Sequence, residues 1–119
     1  KQYEIPAYDK KNGNYLFTLI KKLCDYICNK YDLDLKCNTA TINKNFRCSR
    51  HTDNNNIGSS LTFSLGDFKD GMLEIRNQDT SLIGVYDTKF NPIYFNGSIL
   101  PHEVTEFEGD RYSVVCYSI

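Results

Sequence analysis

The sequence predicts a mainly β fold (α+β): a double-stranded β-helix, or jelly roll, with an N-terminal helix packed outside it. Apolar residues recur at helical spacing only near the start of the chain. From residue 38 onward they lie in seven or eight short runs, often alternating with polar residues and separated by turn residues. No helical pattern interrupts these runs, which favours antiparallel strands in two sheets over parallel strands joined by helices.

Length and composition indicate a single folded domain. The chain has 119 residues, of which 40% are hydrophobic and 13% aromatic, enough for its own core. We expect one domain over 1–119, with 1–37 as helical N-terminal support and 38–119 as the jelly-roll core. No apolar run approaches the about 20 residues that cross a bilayer, and there is no signal-peptide pattern. We therefore expect an intracellular protein, nuclear or cytoplasmic, without membrane contact.

The N-terminal quarter predicts an extended lead-in over 1–12 and a helix over roughly 14–31. Five apolar residues in the helical segment recur at spacings of three and four, which places them on one stripe. We expect this stripe to face the sheet. Its members are Leu16, Leu19, Ile20, Leu23 and Ile27.

The first predicted strand follows a loop over 32–38 and extends to Arg47. Its alternation places Ala40, Ile42 and Phe46 on one face and Thr41, Asn43, Asn45 and Arg47 on the other. Further short runs lie at 61–65, 73–75, 82–86, 92–95, 104–107 and 111–118. Turn residues such as Asp70-Gly71 and Asn96-Gly97 separate them.

The five cysteines are an odd number without CxxC spacing, which favours reduced thiols in an intracellular protein. Cys24 and Cys28 are one helical turn apart, and a zinc site at this pair is an alternative that lacks nearby histidines.

Charge is uneven along the chain. Residues 1–50 contain 10 lysines and arginines and 5 acidic residues, a net charge of +5. Residues 51–119 contain 4 lysines and arginines and 10 acidic residues, a net charge of −6. A basic half is typical of a nucleic-acid surface, and more often of a solvated helix face.

The only two histidines suggest a metal site. In His51-Thr52-Asp53, residues i and i+2 of a strand would point to the same side. If His102 joins them, the three side chains form the two-histidine, one-carboxylate set that holds non-haem Fe(II) and leaves other positions open. The alternative is a surface His-x-Asp and an unrelated histidine.

A predicted anion site accompanies the histidines. Arg111 and Ser113 share a face of the last strand with Val115 and Tyr117, so if Val115 and Tyr117 point inward, Arg111 and Ser113 do so too. A buried guanidinium needs an anion, and a bound dicarboxylate could take the guanidinium and the serine hydroxyl. The alternative is an arginine paired in solvent with Glu106 or Glu108.

Further motif positions extend over 43–118. They are Asn43-Lys44-Asn45, Cys48, Asn56-x-Gly58-x-Ser60, Leu65-Gly66-x-Phe68, Gly71-x-Leu73, Phe95-x-Gly97, His102-x-Val104, Phe107-x-Gly109-x-Arg111-x-Ser113 and Val115-x-Tyr117. With His51-x-Asp53, this order resembles the Fe(II)/2-oxoglutarate-dependent dioxygenases, and more narrowly their TET/JBP-type branch, which oxidises the methyl group of thymine or 5-methylcytosine in nucleic acid. Asp70, where the branch often has glycine, and Glu103 after the distal histidine depart from its pattern.

The resemblance implies that His51, Asp53 and His102 hold Fe(II). It also implies that Arg111, helped by Ser113, binds the cosubstrate 2-oxoglutarate, and that molecular oxygen is the second cosubstrate. Asn43 and Asn45 are candidate cosubstrate ligands, or satisfy buried backbone groups instead. With nucleic acid (DNA or RNA) as substrate, phosphate contacts would come from Lys44, Arg47 and Arg50. Stacking on a flipped base would come from Phe46, Phe68, Tyr86, Tyr94 or Phe95.

Two alternatives remain open at this stage. The first is the same chemistry on a protein side chain, as in prolyl hydroxylases, or on a small molecule. The second is a non-catalytic jelly-roll binding module that keeps the metal site. Fold alone does not separate them, and the oligomeric state is unknown.

Overall fold

A computed structural model describes residues 2–4 and 13–119, with side chains from Tyr15 onward. The predicted fold class is confirmed, and so is the helix near the start of the chain. No helix in the described part of the chain is long and apolar enough to cross a membrane. The elements are β1 (Gln2–Glu4), α1 (Gly13–Tyr31), β2 (Thr39–Lys44), β3 (Ser60–Asp70), β4 (Leu73–Arg76), β5 (Leu82–Tyr86), β6 (Ile93–Phe95), β7 (His102–Val104) and β8 (Phe107–Tyr117).

The strands form two antiparallel sheets. The larger sheet has the order β1-β2-β8-β3-β6 and the smaller has the order β5-β4-β7. β8 lies between β2 and β3, so a late strand is held beside two early ones. The chain just before His51 runs along the free edge of β7, where His51 and His102 exchange two backbone hydrogen bonds of 3.1 and 3.0 Å. This pairing places His51 directly beside His102.

The larger sheet has two different faces. On one face, the apolar residues of β3 and β8 pack against α1 and form the main core. On the other face, the alternating polar residues of the same strands line a cavity. The alternation predicted for 60–65 and 111–117 therefore separates a core from a site. The core consists of Ile20, Cys24, Ile27, Cys37, Ala40, Leu61, Phe63, Val114 and Cys116.

The stripe predicted to bury α1 is only partly right. Ile20 and Ile27 are buried, but Leu16, Leu19 and Leu23 are 42–46% exposed. The buried stripe is completed by Cys24 and Cys28 instead. Cysteine, whether free or in a disulfide, is among the residues most often buried, and the predicted stripe left out both cysteines.

The prediction for β2 is wrong beyond Lys44. Asn45 has a φ of +52°, in the left-handed region that asparagine tolerates better than most residues, and the strand ends before it. This turn breaks the alternation. Phe46 then lines the same cavity as Thr41 and Asn43, although the sequence placed it on the opposite face.

The cysteines also differ from the prediction of five reduced thiols. The structure joins Cys24 of α1 to Cys116 of β8 by a disulfide across 92 residues, and Cys28, Cys37 and Cys48 are free. Sequence spacing does not reveal which distant segments fold together, so this pair was not visible in the sequence.

Candidate active site

Three potential metal ligands converge where β7 meets the segment that ends at His51. The ring centroids of His51 and His102 are 4.4 Å apart. The backbone N–H of Asp53 donates to the carbonyl oxygen of Gly97 at 2.8 Å, which turns the carboxylate toward both rings. Its two oxygens lie 3.3 Å from Nε2 of His51 and 3.2 Å from Nε2 of His102. The predicted set is thus brought together, although Asp53 lies in a loop and not on a strand.

Both imidazoles are oriented in the same way. Nδ1 of His51 donates to the carbonyl oxygen of Ser49 at 2.7 Å, and Nδ1 of His102 donates to that of Leu100 at 2.9 Å. A carbonyl only accepts, so each neutral ring carries its proton on Nδ1 and keeps a lone pair on Nε2. Backbone carbonyls commonly orient metal-binding histidines in this way. The donor atoms of the three residues all lie within 4.8 Å of one another.

Hydrogen bonds among the three ligands keep Asp53 ionised and His51 protonated at neutral pH. Hydrogen bonds to Asp53 and to the nearby Cys48 thiol raise the pKa of His51 to about 10. Burial opposes ionisation of Asp53, but hydrogen bonds from His102 and His51 outweigh it and hold the pKa of that carboxyl well below its usual range. The ionised carboxylate is a ligand for a divalent metal ion, which would displace the Nε2 proton of His51 on binding.

Gly97 leaves space for these ligands. A Cβ at this position would lie 3.0 Å from Cε1 of His102 and 3.1 Å from a carboxylate oxygen of Asp53. The Phe95 ring packs edge-on against the His102 imidazole at 5.0 Å between centroids, and a Cβ at 97 would also lie 3.4 Å from its Cε2. The site is therefore closely packed at position 97, and a side chain there would require His102 and Asp53 to shift.

Arg111 is buried, with 4% of its surface exposed, and faces the same cavity. Burial lowers the pKa of its guanidinium. Among the described residues no carboxylate pairs with it, and Glu106 pairs with Arg47 instead. Nη2 donates to the hydroxyl of Thr88 at 3.3 Å, whereas Nε is buried without a partner. A buried guanidinium in this state is costly unless an anion completes its hydrogen bonds.

Thr88 is a site residue that the sequence analysis missed. It lies in the loop after β5, is 2% exposed, and its hydroxyl is 2.7 Å from that of Ser64. Gly71, at a φ of +70°, makes room for the Arg111 side chain, since a Cβ there would lie 2.9 Å from its Nε. A single threonine in a loop carries no periodic signal, so only the fold reveals its position.

The remaining predicted cosubstrate ligands separate into two groups. Ser113 and Asn43 line the cavity, the amide of Asn43 donates to the Ser113 hydroxyl at 3.2 Å, and its Oδ1 is buried without a partner. Asn45 is not among the lining residues. Its side chain accepts from the backbone N–H of Arg111 at 2.7 Å and donates to Asp110 at 3.1 Å, so it fixes the backbone that carries Arg111.

The cavity has a volume of about 360 Å³ and is shared by the metal ligands and Arg111. Its wall carries three buried polar atoms without partners, on Arg111, Asn43 and Ser60. A cluster of cation ligands and a separate guanidinium in one cavity fit a metal ion together with an acid that reaches from one to the other. The donor set and the unpaired atoms thus both fit Fe(II) and a dicarboxylate.

The predicted substrate contacts are less well supported. Arg47 pairs with Glu106 at 3.3 Å and Arg50 pairs with Glu103 at 3.0 Å. Nζ of Lys44 lies 5.6 Å from the ring centroid of Tyr112. None of the three basic residues lines the cavity. Of the five aromatic candidates, Phe46 and Phe95 line it, and Phe68, Tyr86 and Tyr94 do not.

Comparison with known proteins identifies the fold. No family model and no curated protein matches the chain. Among solved structures, an oxidoreductase of the 2OG-Fe(II) oxygenase family from Burkholderia pseudomallei aligns with a TM-score of 0.72 at 15% identity, over 98% of this chain and 64% of that one. NgTET1 in complex with 5mC DNA aligns with a TM-score of 0.65 at 18% identity, over 94% of this chain and 53% of that one. A Pseudomonas putida prolyl-4-hydroxylase aligns with a TM-score of 0.61 at 16% identity, over 98% of this chain and 68% of that one.

The chain therefore has the fold of the 2OG-Fe(II) oxygenases, as the resemblance predicted. It spans between 53% and 68% of the length of these three structures. At identities of 15–18% the comparisons concern the fold, and the residues of the site carry the functional argument.

Proposed function

We propose that the chain is an Fe(II)- and 2-oxoglutarate-dependent dioxygenase that hydroxylates a C–H bond. One observation carries the proposal: a single cavity contains both the His51, Asp53 and His102 donors and a buried Arg111 with an unpaired Nε. Either feature alone would fit several functions. Together they match a metal ion and an acidic cosubstrate bound side by side.

Each group has a defined role. His51, Asp53 and His102 would hold Fe(II), with Ser49 and Leu100 fixing the rings. Fe(II), 2-oxoglutarate and molecular oxygen supply the oxidising chemistry when bound, while the protein supplies position and exclusion of water.

The guanidinium of Arg111 would bind the carboxylate of 2-oxoglutarate that lies away from the metal. The hydroxyls of Thr88 and Ser113 are placed to assist, because Thr88 already contacts the guanidinium and Ser113 lies on the same face of β8. Charge-assisted hydrogen bonds in a buried site are stronger than neutral ones. Asn43, with its unpaired Oδ1, completes this polar wall.

For the substrate, the proposal is the methyl group of 5-methylcytosine or thymine in nucleic acid. Two features support it: the TET/JBP-like motif order, and the shared fold with NgTET1 in complex with 5mC DNA. Phe46 adds a partly exposed ring at the cavity, on which a flipped base can stack.

The second candidate is hydroxylation of a protein side chain. The fold shared with the Pseudomonas putida prolyl-4-hydroxylase supports it, and so do the ion pairs that occupy Arg47 and Arg50. A non-catalytic binding module is the weakest alternative, because binding alone gives no reason for a buried cation beside a metal-ligand set.

The deciding experiment is mass spectrometry after incubation with Fe(II), 2-oxoglutarate and oxygen. Methylated DNA, methylated RNA and proline-containing peptides are offered in parallel, with Asp53→Ala as the inactive control. We expect hydroxymethylated nucleosides from the wild type only. Oxidised peptide with unaltered nucleosides would favour the second candidate, and succinate formation with neither product would point to a small-molecule substrate.

A further inference from the structure

A second group of metal-ligand side chains lies on the opposite face of the larger sheet. The Sγ atoms of Cys24 on α1, Cys37 before β2 and Cys116 on β8 lie within 4.8 Å of one another. The three residues are 0%, 4% and 0% exposed, and they come from three separate segments. Cys28 and Cys48 are free thiols outside this group.

The disulfide accounts for only two of the three sulfurs. Cys24 and Cys116 are bonded, and Cys37 remains beside both as a free thiol. Its Sγ lies 3.3 Å from the carbonyl oxygen of Thr39, to which the thiol donates. A sulfur at this position is not needed to close the disulfide, and three sulfurs around one point form the ligand type that thiophilic metals prefer.

The pKa of the Cys37 thiol is raised overall, although several groups around it act in the opposite direction. Burial raises the pKa of Cys37, while backbone hydrogen bonds at Thr39 and Tyr117 and the charge of Lys21 act in the opposite direction. Asp25, which pairs with Lys21 at 3.2 Å, adds a smaller unfavourable contribution. Hydrogen bonds to the ligand atoms are a regular feature of metal sites.

We propose that reduced Cys24, Cys37 and Cys116 bind a thiophilic cation such as Zn²⁺, and that the Cys24–Cys116 disulfide is the oxidised, metal-free form of the same site. A dithiol reductant supplies the two electrons and two protons that convert the disulfide to two thiols. The cation then displaces the thiol protons into solvent. Zn–S bonds of about 2.3 Å place tetrahedral sulfurs about 3.8 Å apart, so the Cys24 and Cys116 sulfurs must separate on reduction; all three sulfurs already lie within 4.8 Å of one another.

The test is a titration of the folded protein with Co²⁺ as a spectroscopic probe, after reduction with a phosphine and without oxygen. We expect sulfur-to-cobalt charge-transfer absorption with the intensity of one cobalt ion per chain, which disappears on addition of Zn²⁺. Protein with the disulfide intact gives no such band. The iron site also accepts Co²⁺, and the Cys48 thiol lines its cavity beside His51, so the titration is run on the Cys48→Ser variant as well as on the wild type.

Cys37→Ser is the informative variant, since Cys37 is not part of the disulfide. We expect it to weaken cobalt binding by about 100-fold or more, because losing even a group that only supports a ligand costs about 10–100-fold. Cys28→Ser, a buried thiol outside the group, and Cys48→Ser, the thiol beside His51, should retain the band.

Three results would overturn the proposal: a reduced, folded wild type without the band, an equal band with the disulfide intact, or an unchanged band in Cys37→Ser. If Cys37→Ser does not fold, the reduced and oxidised wild type still decide. None of these measurements involves turnover, so their outcome is separate from that of the dioxygenase proposal.

Discussion

Arg111 is the residue on which the proposed cosubstrate site depends most. Its side chain is buried, flanked by the rings of Phe68 and Phe107 at 5.5 and 5.7 Å, and bonded through Nη2 to Thr88. Two hydrophobic walls and one hydroxyl leave the charge incompletely compensated. An anion in the cavity would therefore stabilise the folded protein as well as bind.

Replacement of Arg111 separates cosubstrate binding from metal binding. Arg111→Ala should weaken the binding of 2-oxoglutarate by about 2–5 kcal/mol, which is roughly 30-fold or more in affinity, because a buried charge partner is lost. Affinity for Fe(II) or Mn(II) alone should change little. Calorimetric titration of each ligand measures both, with Arg47→Ala as the control on an exposed arginine. Equal loss of metal and 2-oxoglutarate would indicate that Arg111 has a structural role.

Gly97 offers a test of the metal ligands that does not remove any of them. In Gly97→Ala the new methyl group would crowd Cε1 of His102 and the Asp53 carboxylate. Metal affinity should fall about 10–100-fold, as when a supporting group is disturbed. Gly58→Ala is the matched control, because its φ of +71° makes alanine strained although no atom lies within 4 Å of the added Cβ. Gly58→Ala should lower stability and leave metal binding intact; the same metal affinity in both variants would contradict this account.

At this scale the sequence revealed the charged groups but not the residues that position them. His51, Asp53, His102 and Arg111 could be found because there are only two histidines and because alternation links Arg111 to inward-facing apolar residues. Thr88 and the backbone carbonyls that orient the rings have no sequence pattern. Their roles depend on which loops meet, which only the fold determines.

Among the elements, α1 shows most clearly what periodicity can and cannot predict. Its extent was close to the prediction, Gly13–Tyr31 against roughly 14–31. Its buried face was not, because Cys24 and Cys28 take the positions that the prediction gave to leucines. The leucines that remain exposed are apolar and fit helical spacing equally well, so periodicity could not separate the two faces.

Paired substitutions on α1 test this orientation. Ile27→Ala should destabilise the protein by about 2–5 kcal/mol, because a buried side chain leaves a cavity. Leu23→Ala, one turn earlier and 44% exposed, should cost far less, about 1 kcal/mol or below. Urea unfolding followed by circular dichroism gives both values. A larger loss for Leu23→Ala would show that the predicted stripe is the buried one.

For the whole molecule, the jelly roll was predictable because strand runs without intervening helices leave few alternatives. The substrate was not predictable, because substrate recognition depends on surface groups whose partners are set by the fold. The basic residues beside the metal site illustrate this difference. Arg47 and Arg50 belong to the basic half of the sequence, yet each pairs with a glutamate from the acidic half.

Salt dependence of binding tests whether the molecule presents a phosphate-binding surface near the site. If Lys44 contacts a phosphate, Lys44→Ala should reduce the slope of log affinity against log salt by about 0.9 on duplex DNA. Lys30→Ala, at the end of α1, is the control and should leave the slope unchanged. Fluorescence anisotropy with methylated DNA over a range of salt concentrations gives the slopes. An identical slope for wild type and both variants would remove Lys44 from the proposed interface.

The central claim is that one cavity binds Fe(II) and 2-oxoglutarate together. Its most direct test is the visible absorption spectrum of the protein with both ligands under anaerobic conditions. We predict a metal-to-ligand charge-transfer band that requires both components and is lost in His51→Ala. A folded wild-type protein that shows no band at saturating Fe(II) and 2-oxoglutarate would contradict the claim.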